Sequence, residues 1–140
     1  MAVSFVPPAP EIPGDAALEV FVYPTDRELD PDNRFSDARR LEYLGLMMAK
    51  AAYMDNMHRT RPSSSGDYLQ DMLGNSLDNF MERAATAYAW HKRVHGYPDG
   101  FDTKSPEESR RLFCTYAGAV SVQYGFEELQ RWIKDVLAVI

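Results

Sequence analysis

Apolar residues recur along this chain at the spacing of helices, not strands. Over Asp37 to Met57, Leu41, Leu44, Met48, Ala51 and Ala52 fall on one face of a helix. Tyr43 and Met47 widen that stripe, which predicts a central helix covered on most sides, with Ser36 as its cap. Asp15 is the expected N-cap of a short helix over Ala16 to Val22, and Pro24 to Asn33 reads as a polar loop. His58 to Ser65, with Pro62 and its serines, reads as a second loop. Ser65 is expected to cap a short helix over Gly66 to Leu73. Asn75 or Ser76 then opens another, running to Trp90 and burying Leu77, Phe80, Met81, Ala84 and Ala85. After a loop over Gly96 to Lys104, Ser105-Pro106-Glu107-Glu108 is a strong helix start. Ser105 caps, Pro106 takes the first helical position, and Glu108 completes a capping box. That helix reaches Tyr124 and stops at Gly125, a left-handed C′ residue. A last helix, Phe126 to Val139, buries Leu129, Trp132, Ile133, Val136 and Leu137. Leu18 to Tyr23 is the only β-like patch, and it is short. The class is all-α with five to seven helices, preceded by an extended segment over residues 1–14 that carries Pro7, Pro8, Pro10 and Pro13. Residues 15–140 form the one folded domain.

Composition narrows the function classes. A chain of 140 residues with 45% hydrophobic and 26% charged positions suits one soluble domain with one core. No apolar run is long enough for a membrane span, and the N-terminus lacks the basic and apolar regions of a signal peptide. The single cysteine, Cys114, excludes an internal disulfide and fits an intracellular, reducing compartment, whether cytoplasm, nucleus or mitochondrion. The net charge of −6 argues against strong nucleic-acid binding, which relies on clustered Lys and Arg. Arg59 with Arg61, and Lys92 with Arg93, are small basic spots that suit at most weak contact with double-stranded RNA. His91 and His95 have the i, i+4 spacing of zinc ligands on a helix, but no third ligand stands near them in sequence. Asp37, Asp55, Asp67, Asp71 and Asp78 show no spacing that singles out a metal cluster.

Two motifs carry more specific chemistry. Arg39-Arg40-Leu41-Glu42-Tyr43-Leu44-Gly45-Leu46 resembles the signature helix of the ribonuclease III family, E-R-L-E-F-L-G-D. Arg110 to Val122, followed by Gly125-Phe126, resembles the family's later helix, A-D-x-x-E-A-x-I-G-A-x-Y, with Gly118-Ala119 in the place of its Gly-Ala pair. Ser65-Gly66-Asp67 is similar to the family's E-G-D, and Leu18 to Asp26 stands where the family often shows A-L-T-H-R-S. The resemblance implies an all-α nuclease fold in which carboxylates from two helices hold magnesium. At those positions this chain has Arg39, Glu42, Leu46, Arg111 and Cys114, and Ser65 replaces a further acid. Glu42 alone keeps a hard oxygen ligand, and magnesium demands oxygen. The i, i+3, i+7 spacing of 39, 42 and 46 places them on one helix face, and 111 and 114 share another.

The expected function is therefore a ribonuclease III-like domain without metal-dependent cleavage and without a cofactor, acting as a dimerisation or interaction module linked to RNA processing. The alternative is a divergent double-stranded-RNA endonuclease that uses Glu42 and magnesium. A protein-only binding domain is a third reading. The resemblance also implies a homodimer through the signature helix, at Tyr43, Leu46 and Met47. Arg111 is expected to bond Glu42 across the degenerate cleft, standing where a metal would bridge two acids. Cys114 reads as a small buried thiol.

Overall fold

The computed structural model describes residues 6–24 and 29–140, and within them the chain is all-α. Helix α1 spans Gly14–Phe21, α2 Ala38–Thr60, α3 Gly66–Ala87, α4 Pro106–Tyr124 and α5 Phe126–Leu137. A single 3₁₀ turn, Trp90–Lys92, lies between α3 and α4. The β-like patch is the end of α1 plus one isolated bridge. Tyr23 N–H donates to the His95 carbonyl at 2.8 Å, and His95 N–H returns to the Phe21 carbonyl at 2.8 Å. Part of the polar loop expected after Pro24, residues 25–28, lies outside the described residues, as do Thr25 and Asp26 of the upstream family match.

Local chemistry sets most helix ends. Ser105 Oγ accepts from the Glu108 N–H at 3.2 Å, with Pro106 in the first turn, as expected. The capping box is not completed: Ser105 N–H donates to the Asp102 carbonyl, and the Glu108 carboxylate turns to other partners. Ser65 caps α3 by accepting from Tyr68 N–H. Asp37, not Ser36, caps α2, accepting from Arg40 N–H at 3.0 Å. Ser36 instead accepts from Asp30 N–H and is buried in the turn before the helix. Pro13 occupies the N-cap of α1, and Asp15 sits inside the first turn. Gly125 ends α4 at φ 91°, which glycine favours, but its ψ of 174° is extended rather than left-handed helical.

Tertiary packing overrode two sequence expectations. Residues 66–87 form one helix, not two, because Leu69, Leu77, Phe80 and Met81 bury on one face across Gly74. Burial on both sides outweighs the roughly 1 kcal/mol that a mid-helix glycine costs. The central helix is α4, not α2. Nine consecutive residues of α4, Leu112 to Val120, are buried, so it is covered all round. In α2 the buried stripe is Leu41, Gly45, Ala49, Ala52, Tyr53 and Met57, while Tyr43, Met47 and Ala51 are exposed.

The α2–α4 crossing is set by glycine on both sides. A Cβ at Gly45 would overlap the Cys114 carbonyl oxygen and lie 2.6 Å from Gly118 N; one at Gly118 would overlap the Leu41 carbonyl. The backbones therefore touch, as small residues permit. Beside this crossing an aromatic core gathers Trp90, Phe113, Tyr116 and Trp132, all buried.

Candidate functional site: the cleft between α2 and α4

The glycine contact brings the expected faces of α2 and α4 together. Glu42 lies one turn before Gly45, and Arg111 and Cys114 lie two turns and one turn before Gly118. In the cleft Glu42 lies close enough to both Arg111 and Cys114 to act on each electrostatically.

Arg111 does not bond Glu42, contrary to the expectation from sequence. Its Nε and Nη2 each donate to Glu108, one oxygen apiece, at 2.6 Å. Both side chains are largely withdrawn from water, at 13% exposure for Arg111 and 2% for Glu108. Tyr97 OH donates to the second Glu108 oxygen, and the Tyr23 ring lies 5.6 Å below the guanidinium. Burial opposes the charge on Arg111, but the bonds to Glu108 more than offset it, so the guanidinium is held charged. The Glu108 partner prevails because it sits one turn earlier on the same helix, the i, i+3 geometry of a local ion pair. Arg111 Nη1 remains buried without a partner among the described residues.

Glu42 is half-buried and forms no hydrogen bond among the described residues. Burial pushes its carboxyl above the ordinary range; Arg39 and Arg111 pull against this, and Glu108 adds to it. Cys114 is buried with Sγ 3.5 Å from Met81 Sδ. Burial first, then Glu42 and Asp78, push its thiol up to about 12, so it is no nucleophile at neutral pH. Arg39 is exposed, donating to Tyr43 OH at 3.0 Å and lying over that ring.

The other expected positions separate from this cleft. Ser65 starts α3 beyond the C-terminal end of α2. Thr60 lies roughly 27 Å along the helix from Glu42, and Ser65 follows five residues later, too few to return to the cleft. Leu46 is partly buried against the core, so the exposed apolar face of α2 is Tyr43 and Met47, at 56% and 54% exposure. His91 and His95 do not share a helix: α3 ends at Ala87, Ala89 turns left-handed at φ 54°, and His95 lies in the bridge to α1. Burial, Lys104 and Lys92 hold the His91 imidazole below its usual range. Among the described residues no three His, Cys, Asp or Glu side chains converge as a metal site. Of the basic spots, Arg59 pairs with Asp55, and Arg93 stacks on Phe21 at 3.9 Å.

Sequence reasoning missed Glu108 and Tyr97. The Glu108–Arg111 spacing was a usable signal for an ion pair. Tyr97 comes from the loop before α4, and no sequence pattern aims it at Glu108. No helix among the described residues is long and apolar enough to cross a membrane. No family model matches the chain, and no curated protein matches it significantly.

Proposed function

We propose that this chain is a ribonuclease III-like domain that has given up metal-dependent cleavage and works inside the cell as a homodimerising interaction module linked to RNA processing. One observation carries the reading. The Arg111 guanidinium, which the resemblance aligns with the family's metal-binding aspartate, is buried and clamped by Glu108, itself held by Tyr97. A fixed cation repels magnesium, and its clamp engages the second carboxylate of the cleft. The two motif glycines support the fold assignment, since they meet at one helix crossing. The exposed Tyr43 and Met47 support a partner surface on α2.

The competing reading, a divergent magnesium-dependent endonuclease, draws support from one further acid, Glu108, which is near enough to Glu42 to raise its carboxyl. That acid is free for metal only if Arg111 and Tyr97 release it. Two measurements test the proposal. Sedimentation at micromolar concentration should give twice the 15.9 kDa monomer mass, and Tyr43→Asp should return it to monomer. Incubation with double-stranded RNA and magnesium should leave the RNA intact. Cleavage that disappears in Glu42→Ala would establish the endonuclease instead, and a monomer unchanged by Tyr43→Asp would remove the dimer.

A further inference from the structure

The extended N-terminal segment is bound as a ligand is bound. Residues 6–13 read Val-Pro-Pro-Ala-Pro-Glu-Ile-Pro. Proline fixes φ and removes N–H donors, so such a segment offers chiefly carbonyl acceptors. A polyproline II helix has three residues per turn and no internal hydrogen bonds, so carbonyls three residues apart face the same way. Tyr88 OH donates to the Pro7 carbonyl at 2.5 Å, and Tyr116 OH to the Pro10 carbonyl at 2.5 Å. Tyr124 OH donates to the Glu11 carbonyl at 2.6 Å. Exposure follows the same period: Pro8 and Glu11 face solvent, while the other residues of 6–13 are partly covered. At its end Pro13 is extended, with φ −68° and ψ 164°.

The receiving wall is built by other elements. Trp90 is stacked between Tyr88, at 4.8 Å, and Tyr116, at 4.4 Å, so the ring planes are fixed by the core. Trp132 Nε1 donates to Tyr88 OH at 3.0 Å, which leaves that hydroxyl's own proton directed to the segment. The left-handed turn at Ala89 lies between the stacked Tyr88 and Trp90. Tyr88 follows α3, Trp90 is in the 3₁₀ turn, and Tyr116 and Tyr124 are on α4. The segment contributes nothing to their backbone. It also leaves the groove partly unfilled. A cavity of about 630 Å³, open to solvent, is lined jointly by Val6, Pro8 and Ala9 of the segment and by Trp90, Arg93 and Tyr116.

We infer that the Tyr88–Trp90–Tyr116–Tyr124 wall is a docking groove for proline-rich segments in polyproline II conformation. Residues 6–13 occupy it in cis, and a partner's proline-rich segment occupies it in trans. Aromatic-lined grooves dock proline-rich ligands. Here the Tyr88 and Tyr116 hydroxyls read carbonyls three residues apart, at Pro7 and Pro10, and Tyr124 adds a bond to the adjacent Glu11 carbonyl, off that repeat. The tethered segment competes at an effective concentration on the order of millimolar, so trans binding is tight only once the segment is loosened.

The test uses the full chain and a capped synthetic peptide of residues 6–13. The double substitution Pro7→Gly and Pro10→Gly loosens the segment without touching the wall. Fluorescence of the buried Trp90 and Trp132 reports occupancy. The peptide should bind the loosened chain at least about tenfold more tightly than the intact chain, reflecting the lost cis competitor. Tyr116→Phe in the loosened chain should weaken binding, and a peptide with its prolines changed to glycine should not bind. A loosened chain that is folded by circular dichroism yet binds no better than the intact chain overturns the inference. So does one that takes up its own second copy, forming concentration-dependent dimers that the peptide does not dissociate. If the loosened chain does not fold, the intact chain still decides. Spin-labelled peptide at several millimolar, on the order of the cis concentration, should broaden the Trp132 indole resonance, and unchanged linewidths overturn the proposal.

Discussion

Arg111 keeps its charge inside the protein because Glu108 stands one turn before it and meets it with both oxygens. Removing one member of such a pair strands the other in a poorly solvated place. Glu108→Ala should therefore cost about 3–5 kcal/mol in urea unfolding. The double substitution Glu108→Leu with Arg111→Met should recover most of that loss, since apolar residues of similar volume replace a buried pair at little cost. A single variant as stable as the parent would show that the pair is not buried in solution. Glu42 behaves differently, because it is raised by burial and has no hydrogen bond among the described residues to offset it. A carboxyl with a higher pKa folded than unfolded binds its proton more readily when folded. Ionising it lowers stability as pH rises, and the full cost is present above its folded value. Glu42→Gln should then stabilise the protein at neutral pH, by less than about 1 kcal/mol because a half-exposed charge is screened. The gain should vanish below the carboxylate range. A gain independent of pH in thermal melts would assign it to packing instead.

Helix pairing gives opposite meanings to glycines that look alike in sequence. Gly45 and Gly118 lie where α2 and α4 touch, and a methyl group at either would overlap backbone. Gly74 lies in the interior of α3 with nothing within 4 Å of its missing Cβ. Alanine favours a helix interior over glycine by about 0.8–1 kcal/mol wherever space allows. Gly74→Ala should thus stabilise the fold by roughly 0.5–1 kcal/mol. Gly45→Ala or Gly118→Ala should destabilise it by about 3 kcal/mol, because two backbones must separate. Urea midpoints of the three variants check both signs, and a neutral Gly118→Ala would mean that the crossing is looser than these contacts require. The same contact explains how two motifs some seventy positions apart share one cleft. Whatever else the motifs do, their glycines hold the crossing together.

At the scale of the molecule, α4 is enclosed by α1, α2, α3 and α5, and the aromatic core beside it extends outward to the proline-rich segment. One continuous core includes Val20 and Phe21 of α1, Trp90 of the 3₁₀ turn and Val136 of α5. The segment over 6–13 is anchored to the same aromatic residues that fill this core. Its position therefore bears on both stability and binding, and the cavity beside it is lined by none of Glu42, Arg111 and Cys114.

Local physics was legible in the sequence. The all-α class, the caps at Ser65 and Ser105, the stop at Gly125 and the extended proline segment depend on residues within a turn or two of each other. The grouping of Glu42, Arg111 and Cys114 was an expectation of the family resemblance and not of any local pattern; the contact of Gly45 with Gly118, which only the structure displays, is what brings their helices together. Only the tertiary structure decided which carboxylate Arg111 chose, because Tyr97 arrives from a loop and completes the Glu108 site. It also decided that α4, not α2, is central, and that α3 runs unbroken through Gly74. Periodicity tells which face of a helix is apolar, but not how many neighbours that face meets. The tyrosine contacts to Pro7, Pro10 and Glu11 span 81 to 113 positions, a separation at which no local pattern carries information. Hydrogen-bond partners at that distance exist only once the helices have packed and fixed where each hydroxyl points.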